Sequence, residues 1–304
     1  MADRPIIGLV GLGLVGSALA ERFAAAGFDV VGYDIDATKA DALRAGGARS
    51  TASPAEVARQ ARRVVLSLPD SAVVERVVEG PGGLMEAAEA GDTIIDTTTG
   101  DPVRSAALAA RLRERGVAFL DAAIVGSSAH VREGDVIVLV GGNEEAIAGC
   151  DGLFAAFARR TFRMGPSGKG AEAKLVANLV LGLNRLVLAE GLVLGRKAGI
   201  DPDALLAVLR EGATYSRVMD AKGEKMIRGE FSPQARLQQH LKDVDLILDL
   251  GRRTGTPLVA TALHAQLLRA AVAAGFGRED NSAIIRVLER MAGLPERERK
   301  EEGG

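Results

Sequence analysis

The feature that most constrains this chain is a glycine pattern directly behind its first apolar strand. Residues 6–10 read Ile-Ile-Gly-Leu-Val, and a helical pattern runs from Ser17 to Ala26. Between them stands the run Gly11-Leu12-Gly13-Leu14-Val15-Gly16. In such a G-x-G-x-x-G segment the first glycine permits a tight turn and the second lets the backbone approach a pyrophosphate. The third glycine lets helix and strand pack closely. The context predicts a Rossmann dinucleotide-binding domain, with this whole run at the cofactor.

An acidic residue after the second strand favours one dinucleotide over the other. Asp34 lies 18 residues after Gly16, close to the roughly 20 expected of the acid that binds the adenosine ribose. A carboxylate there accepts hydrogen bonds from the ribose hydroxyls and repels a 2′-phosphate. No arginine follows at once, so we predict NAD rather than NADP and place Ile35 beside Asp34 in the site. Lys39 and Arg44 are the residues that would overturn this preference.

The first 165 residues alternate short, continuously apolar runs with helical patterns. Such alternation indicates βαβ units and a mainly parallel sheet covered on both faces. Further strands are predicted at 30–33, 64–68, 93–96, 118–120 and 136–140, and a further helix at 103–115. We therefore assign residues 1–165 to an NAD-binding Rossmann domain.

The pattern changes after Gly165. A turn-rich linker leads into a proline-free, apolar stretch from Ala171 to Ala198, which predicts a long interdomain helix. Further helices are expected from Pro202, with Asp201 as cap, and over 232–251 and 261–274. We assign residues 166–304 to an all-α domain for substrate binding and oligomerisation. Within it, 199–295 should be helical and 296–304 a frayed, charged tail.

Composition excludes several classes of function. Charged residues form 26% of the chain and the net charge is −2, while aromatic residues form 3% and tryptophan is absent. This gives no reason to expect nucleic acid or an anionic membrane as partner. One cysteine, Cys150, allows no disulfide within the chain and fits a reducing compartment. No leader pattern and no charge-free apolar run of about 18 residues is found, so we expect cytoplasmic residence.

Further motifs follow in order along the chain. They are Leu68-Pro69, the segment IDTTTGDP at 95–102, DAAIVGSS at 121–128, the glycine–lysine–asparagine segment at 165–178, and Lys242-Asp243. The series resembles the β-hydroxyacid dehydrogenases, the family of 3-hydroxyisobutyrate dehydrogenase and tartronate semialdehyde reductase, over nearly the whole chain. The resemblance implies that Thr99 borders the nicotinamide ribose, and it extends this place to the neighbouring Thr98. It places at the cofactor Leu68, Pro69, Val73 and Lys242 as well.

The same resemblance makes Lys174 and Asn178 the catalytic pair. They are four residues apart and therefore share one helix face. That helix directly follows the linker that leaves the nucleotide domain, so it should line the interdomain cleft. An ammonium group beside the reacting oxygen can exchange its proton and stabilise developing negative charge. We predict that Lys174 relays the proton, while Asn178 orients Lys174 or the substrate.

The predicted substrate loop departs from the family pattern. Where the family has a serine followed by two glycines, this chain reads Val125-Gly126-Ser127. A backbone N–H cradle for a carboxylate survives at Gly126, whereas the expected hydroxyl is absent at position 125. Ser127 and Ser128 offer hydroxyls from a shifted register. With Lys242, Lys174 and Asn178, these residues form the predicted substrate site.

These inferences lead to one reaction and two alternatives. We expect hydride transfer between NAD and a small β-hydroxy acid or the corresponding semialdehyde, in a homodimer or homotetramer. The alternatives are an imine reductase on the same fold and a non-catalytic nucleotide-binding module. Three scattered histidines and Cys150 give no metal-ligand spacing, so no metal is expected.

Overall fold

The computed structural model describes residues 4–295. Within this range eight strands form one sheet, in the spatial order β3-β2-β1-β4-β5-β6-β7-β8. The strands are Ile6–Val10 (β1), Asp29–Tyr33 (β2), Arg49–Ser50 (β3), Arg63–Leu66 (β4), Thr93–Asp96 (β5), Ala118–Val125 (β6), Val136–Gly141 (β7) and Ala158–Gly165 (β8). All neighbours are parallel except β6 and β7, which are antiparallel. The predicted Rossmann sheet is confirmed.

Eight helices lie in the segments that connect or follow the strands, as βαβ crossovers require. They are Leu14–Ala25 (α1), Ala37–Ala45 (α2), Pro54–Gln60 (α3), Ser71–Glu79 (α4), Pro102–Glu114 (α5), Ser128–Glu133 (α6), Glu144–Ala148 (α7) and Asp151–Ala155 (α8). Consecutive residues of one strand serve opposite faces of the sheet. Leu9 packs into one buried cluster with Phe23, and Val10 packs into another with Val57. Burial on both faces explains the continuous apolar runs.

The remaining helices follow β8. They are Lys169–Lys197 (α9), Pro202–Glu211 (α10), Glu224–Arg228 (α11), Leu237–Thr254 (α12), Val259–Ala273 (α13) and Ile285–Met291 (α14). Short 3-10 or π turns occur at Leu84–Glu86, Met219–Gly223 and Asn281–Ile284. A long helix followed by an all-α region is as predicted. The predicted tail at 296–304 lies outside the described residues.

Contacts divide the chain into two compact units, Met1–Lys174 and Leu175–Gly304. The sequence-based division falls after residue 165. Helix α9 begins in the first unit and continues without a break into the second. Among helices in 4–295 of at least 18 residues, α9 is apolar and long enough to cross a membrane, yet 44% of its most apolar window is buried. Its buried positions include Lys174, Asn178 and Arg185, which suits a helix packed inside a folded protein.

Three sequence expectations are wrong in detail. Strand β8 was not predicted, because its outer position in the sheet leaves its arginines exposed and removes the continuous apolar run. The helix expected from residue 232 begins at Leu237, since the carboxylate of Asp280 binds the backbone N–H groups of Gln234 and Ala235. Asp201 stands at the cap position of α10 but makes no capping hydrogen bond with its side chain.

Candidate active site

The predicted cofactor residues of the first unit gather at one edge of the sheet, whereas Lys242 lies on α12 in the second unit. Strands β2, β1, β4 and β5 are adjacent and parallel, so their carboxyl ends meet at the same edge. The glycine run follows β1, and Asp34 follows β2. Leu68-Pro69 follows β4, and Thr99 follows β5. From β1 the strands are added first toward β3 and then, from β4 onward, on the other side of β1. Open α/β sheets bind their ligands at this switch point between β1 and β4.

Each glycine of the first loop meets a different backbone demand. Gly11 has a φ of +93°, and a Cβ there would lie 2.3 Å from the backbone oxygen of Ser67. A Cβ on Gly16 would lie 1.9 Å from the backbone oxygen of Gly11. A Cβ on Gly13 would meet nothing within 4 Å. The glycines at 11 and 16 are therefore required by packing, whereas the glycine at 13 leaves open space.

That open space lies at the start of a helix whose first turn has no side-chain cap. Gly13 is the N-cap of α1 and supplies no capping side chain. Uncapped N–H groups and the positive end of the helix dipole attract a phosphate, and the missing Cβ lets it approach. The residues present thus fit the pyrophosphate of a dinucleotide.

Asp34 is held firmly behind this loop. One carboxylate oxygen accepts a hydrogen bond from the N–H of Leu12 at 2.7 Å, and the other accepts from the N–H of Asp36 at 2.9 Å. The side-chain nitrogen of Lys39 lies 3.6 Å from the same carboxylate, while Arg44 is paired with Asp41. A carboxylate oxygen can accept more than one hydrogen bond, so Asp34 keeps capacity for a ribose hydroxyl.

The loops after β4 and β5 are joined to each other. The N–H of Leu68 donates to the hydroxyl of Thr98 at 3.1 Å, and the N–H of Thr98 donates to Asp96 at 2.9 Å. Thr98 is buried, while Thr99 is half-buried. The Thr98 hydroxyl therefore holds the Leu68 loop, and Thr99 is the better placed of the two threonines for the predicted contact with the cofactor.

Val73 lies in the first turn of the helix that follows the Leu68 loop. The N–H of Val73 donates to a carboxylate oxygen of Asp70 at 2.9 Å, and Asp70 is the N-cap of α4. Pro69 is exposed and Val73 is half-buried. Their contact with a cofactor stays a prediction.

The predicted substrate loop closes on itself. Gly126 has a φ of +150°, and a Cβ there would lie 2.5 Å from a methyl group of Val136. The next residue, Ser127, caps the short helix α6. Its hydroxyl accepts from the N–H of His130 at 3.3 Å, and its own N–H donates to the imidazole of His130 at 3.2 Å. Half-buried Val125 ends β6.

The first turn of α9 is bound to the sheet by a buried carboxylate. The two oxygens of Asp121, in β6, accept hydrogen bonds from the N–H groups of Gly168 and Ala171, both at 2.8 Å. Asp121 is 3% exposed. Burial raises the pKa of Asp121 to about 6, although the backbone N–H donors act in the opposite direction. In its ionised form the carboxylate complements the positive end of the helix dipole.

Lys174 and Asn178 project from the same face of α9 at a spacing of four residues. Gly170 precedes them on that face at the same spacing, and all three positions are buried. Lys174 is 7% exposed, which is unusual for a lysine. A lysine so little exposed does not serve as an ordinary solvated surface charge.

Asn178 and Lys242 share a partner. The side-chain N–H of Asn178 donates to one oxygen of Asp243 at 3.0 Å, and the ammonium of Lys242 lies 3.3 Å from the other. Asp243 is buried, whereas the side chain of Lys242 is 29% exposed. With one amide N–H used in this way, Asn178 keeps its second amide N–H and its carbonyl oxygen for further hydrogen bonds.

Sequence reasoning assigned no role to Asp121 or Asp243. Both occur in the quoted motifs, but their partners lie 47 to 65 residues away in the chain. Gly168 and Gly170 are the sequence signal for the contact that Asp121 makes, because closely spaced glycines before a helix indicate that other backbone approaches there.

Of the three histidines, His130 holds Ser127 in the predicted substrate loop, whereas His240, His264 and Cys150 have no assigned role in the site. His240 and His264 lie together in the second unit with ring centres 5.2 Å apart, and burial lowers the pKa of His264 to about 4. Cys150 is buried, and this burial raises the pKa of its thiol. Across residues 4–295, no group of three or more His, Cys, Asp or Glu side chains could hold a metal ion.

Comparison with known proteins supports the assignment of both units. Residues 6–165 match the NAD-binding domain of 6-phosphogluconate dehydrogenase. Residues 168–288 match the NAD-binding region of NADP-dependent 3-hydroxyisobutyrate dehydrogenase. The dinucleotide loop and these matches define an NAD(P)-dependent oxidoreductase. Residues 6–165 form its NAD-binding domain.

Individual relatives define the family. The chain is 33% identical to 2-(hydroxymethyl)glutarate dehydrogenase of Eubacterium barkeri, over 82% of this chain and 83% of that protein. It is 30% identical to 2-hydroxy-3-oxopropionate reductase of Escherichia coli, over 81% and 84%. A crystal structure of 3-hydroxyisobutyrate dehydrogenase from Salmonella typhimurium superimposes with a TM-score of 0.86 at 26% identity, covering 93% and 99%. This chain belongs to the β-hydroxyacid dehydrogenase family.

Proposed function

We propose that this chain transfers a hydride between NAD and a small β-hydroxy acid similar to 3-hydroxyisobutyrate, or the corresponding semialdehyde. The observation that carries the proposal is the buried face of α9, where Lys174 and Asn178 follow directly on a dinucleotide-binding domain. The relatives named above are dehydrogenases and reductases of small hydroxy acids and oxo acids.

Lys174 performs the proton chemistry in this proposal. When bound, the nicotinamide ring accepts or supplies the hydride. During oxidation the neutral amine of Lys174 takes the hydroxyl proton and becomes an ammonium, and during reduction this ammonium gives a proton to the carbonyl oxygen. Its positive charge stabilises the oxygen while negative charge develops there. Asn178, held by Asp243, presents its carbonyl oxygen as an acceptor that orients Lys174 or the substrate hydroxyl.

The acid group of the substrate is assigned to Lys242 and to the loop Val125–Ser127. Lys242 keeps 29% of its side chain exposed beside Asp243, and Gly126 presents backbone at the end of β6. Valine at position 125 replaces the hydroxyl of the family pattern. In this proposal the acid is held by the backbone N–H of Gly126 and by the ammonium of Lys242, because the N–H of Ser127 is used by His130. Tartronate semialdehyde and methylmalonate semialdehyde are suitable reverse substrates.

The preference for NAD over NADP rests on the surroundings of Asp34. The buried carboxylate would repel a 2′-phosphate at close range. Of the two cations that would favour NADP, Arg44 is paired with Asp41 and Lys39 is within 4.0 Å of both Asp34 and Asp36. We therefore propose NAD as the preferred cofactor.

A steady-state screen tests the proposed function. Hydroxy acids, semialdehydes and cyclic imines are each offered with NAD or NADP in the appropriate redox state, and turnover is followed at 340 nm. We expect turnover of a β-hydroxy acid with NAD. Reduction of cyclic imines alone would favour an imine reductase. Tight NAD binding without turnover of any compound would favour a non-catalytic nucleotide-binding module.

We also propose that the protein forms a homodimer or homotetramer in the cytoplasm. Helix α9 carries large apolar side chains on its exposed side, among them Val176, Val180, Val187 and Leu194, each more than half exposed. Exposed apolar surface of this kind is usually covered by a partner subunit. Light scattering after gel filtration checks the assembly, and a strict monomer would contradict it. Cell fractionation checks the location.

A further inference from the structure

The first turn of α9 is pressed against the sheet more closely than any side chain at that point would allow. A Cβ on Gly170 would lie 2.4 Å from the backbone oxygen of Asp121 and 2.6 Å from that of Leu139. On the sheet side, a Cβ on Gly141 would lie 2.8 Å from the nitrogen of Gly170 and from the backbone oxygen of Pro166. Glycines on both surfaces let helix and strand backbones touch.

The contact is closed by two hydrogen bonds from a single side chain. Asp121 is paired with Gly141 in the ladder between β6 and β7, so its position is set by the sheet. Its oxygens accept one N–H at the turn before α9, from Gly168, and one inside the first turn, from Ala171. Two bonds from one rigid carboxylate restrict rotation and translation of the helix start, where a single bond leaves rotation open.

This contact fixes the helix face that carries the predicted catalytic residues. Gly170, Lys174 and Asn178 follow one another at intervals of four, so they form a single stripe along α9. The face pressed on β6 and β7 at Gly170 is thus the face from which Lys174 projects one turn later. Rotating or lifting the helix start moves Lys174 with it.

We propose that Asp121 is a positioning residue for Lys174. Its carboxylate holds the first turn of α9 on the sheet through two hydrogen bonds, and these bonds determine the position and orientation of the Lys174 side chain. The inference rests on the proposed function, in which Lys174 exchanges a proton with the substrate oxygen. Asp121 itself takes no part in the chemistry.

Asp121→Asn tests this role. The change keeps the size of the side chain and one acceptor oxygen, but it turns an amide N–H toward a backbone N–H. Displacements of about 1 Å lower rates by roughly 100-fold, so kcat should fall about 10- to 100-fold. The affinity for NAD should stay within about twofold, because the glycine run and Asp34 are not touched.

A primary deuterium isotope effect separates positioning from loss of folded protein. With a substrate deuterated at the reacting carbon, the isotope effect on kcat should increase in Asp121→Asn where product release limits the wild type, because the chemical step becomes slower. Where hydride transfer already limits the wild type, kcat per NADH-binding site should fall instead, because each folded site turns over more slowly. A smaller folded fraction lowers kcat and leaves the isotope effect unchanged. Asp121→Glu, which keeps both oxygens but lengthens the side chain, should show the same isotope signature if the asparagine variant folds poorly.

Asp92→Asn is the matched control. Asp92 is also buried in the first unit, and it accepts from the N–H of Glu89 and from Arg62, both at 2.9 Å. It precedes β5, at the amino end of that strand, so its loss should lower stability and leave the isotope effect unchanged.

Two results would overturn the proposal. One is wild-type kcat in a folded Asp121→Asn protein, and the other is a kcat that returns to the wild-type value once it is expressed per NADH-binding site. Either result leaves the proposed function intact, since that function fails only if wild-type protein turns over no hydroxy acid or semialdehyde.

Discussion

Two loops of the first unit each leave a strand, pass through glycine and enter a helix, yet they treat the helix start differently. At the end of β1, Gly13 caps α1 without a side chain, and the space beside it is open. At the end of β6, Ser127 caps α6 with its hydroxyl and also binds the imidazole of His130. The N–H groups at the start of α1 have no side-chain cap and can bind a ligand, whereas the start of α6 is capped by the side chain of Ser127.

A glycine before a helix therefore has more than one structural cause. Gly11 and Gly16 are needed because other backbone comes within 2.3 Å and 1.9 Å of a Cβ at these positions. Gly13 alone is explained by something outside the chain. In the second loop Gly126 avoids Val136, so its reason lies within the fold. Substitutions at these positions separate the reasons.

Gly16→Ala should disrupt the first unit. The added methyl group would overlap the backbone oxygen of Gly11, which cannot move without the turn. We expect a loss of about 3 kcal/mol or more in the free energy of unfolding, at the upper end of overpacking effects. Urea denaturation measures it. Gly152→Ala is the control, because a Cβ on Gly152, in α8, meets nothing within 4 Å. Equal stability of the two variants would contradict the packing argument.

Gly13→Ala should separate cofactor binding from folding. A methyl group at this position meets no protein atom within 4 Å, and the φ of −68° suits alanine. Stability should change by no more than about 1 kcal/mol, while the dissociation constant for NAD rises about 10-fold or more because the methyl group takes the space of a phosphate. Fluorescence titration with NADH measures this. Unchanged affinity would show that the open space is not the phosphate site.

Asp34→Asn should shift the cofactor preference. The change removes the negative charge that repels a 2′-phosphate, and it leaves Lys39 next to the ribose position. The ratio of kcat/KM with NAD to that with NADP should fall about 10-fold, in line with the worth of a hydrogen bond to a charged group. An unchanged ratio would mean that discrimination lies elsewhere.

Ser127→Ala should have the smallest effect. Its hydroxyl is used by the N–H of His130, so its loss removes a cap worth about 1 kcal/mol. The KM for the acid substrate should change by less than about threefold, because the backbone of the loop remains. A much larger rise in KM would show that the hydroxyl binds the acid, and the second loop would then resemble the first.

The parts of the fold that the sequence predicts are those with local causes. The glycine run and its helix, the buried strands and α9 all follow from patterns contained in a few consecutive residues. Strand β8 does not, because only its place at the edge of the sheet makes exposed arginines compatible with a strand. The start of α12 depends on Asp280, more than 40 residues further along the chain.

The candidate site divides in the same way. Lys174 and Asn178 can be proposed from their spacing and from the family resemblance. The carboxylates that hold their surroundings, Asp121 and Asp243, cannot be matched to these partners before the chain is folded. Val125 is the opposite case, because its departure from the family pattern is visible in the sequence before the chain is folded. The valine side chain carries no hydroxyl that could replace that of the family's serine.

If the buried Lys174 on α9 performs the proton transfer, its removal should nearly abolish turnover, and Lys174→Ala measures this. Lys169→Ala is the control, because Lys169 begins the same helix but is half-exposed and paired with Glu172. Both variants should bind NAD as the wild type does. We predict that Lys174→Ala lowers kcat for the best hydroxy acid by about 100-fold or more, while Lys169→Ala stays within twofold of the wild type. Near-normal turnover by Lys174→Ala would contradict the account.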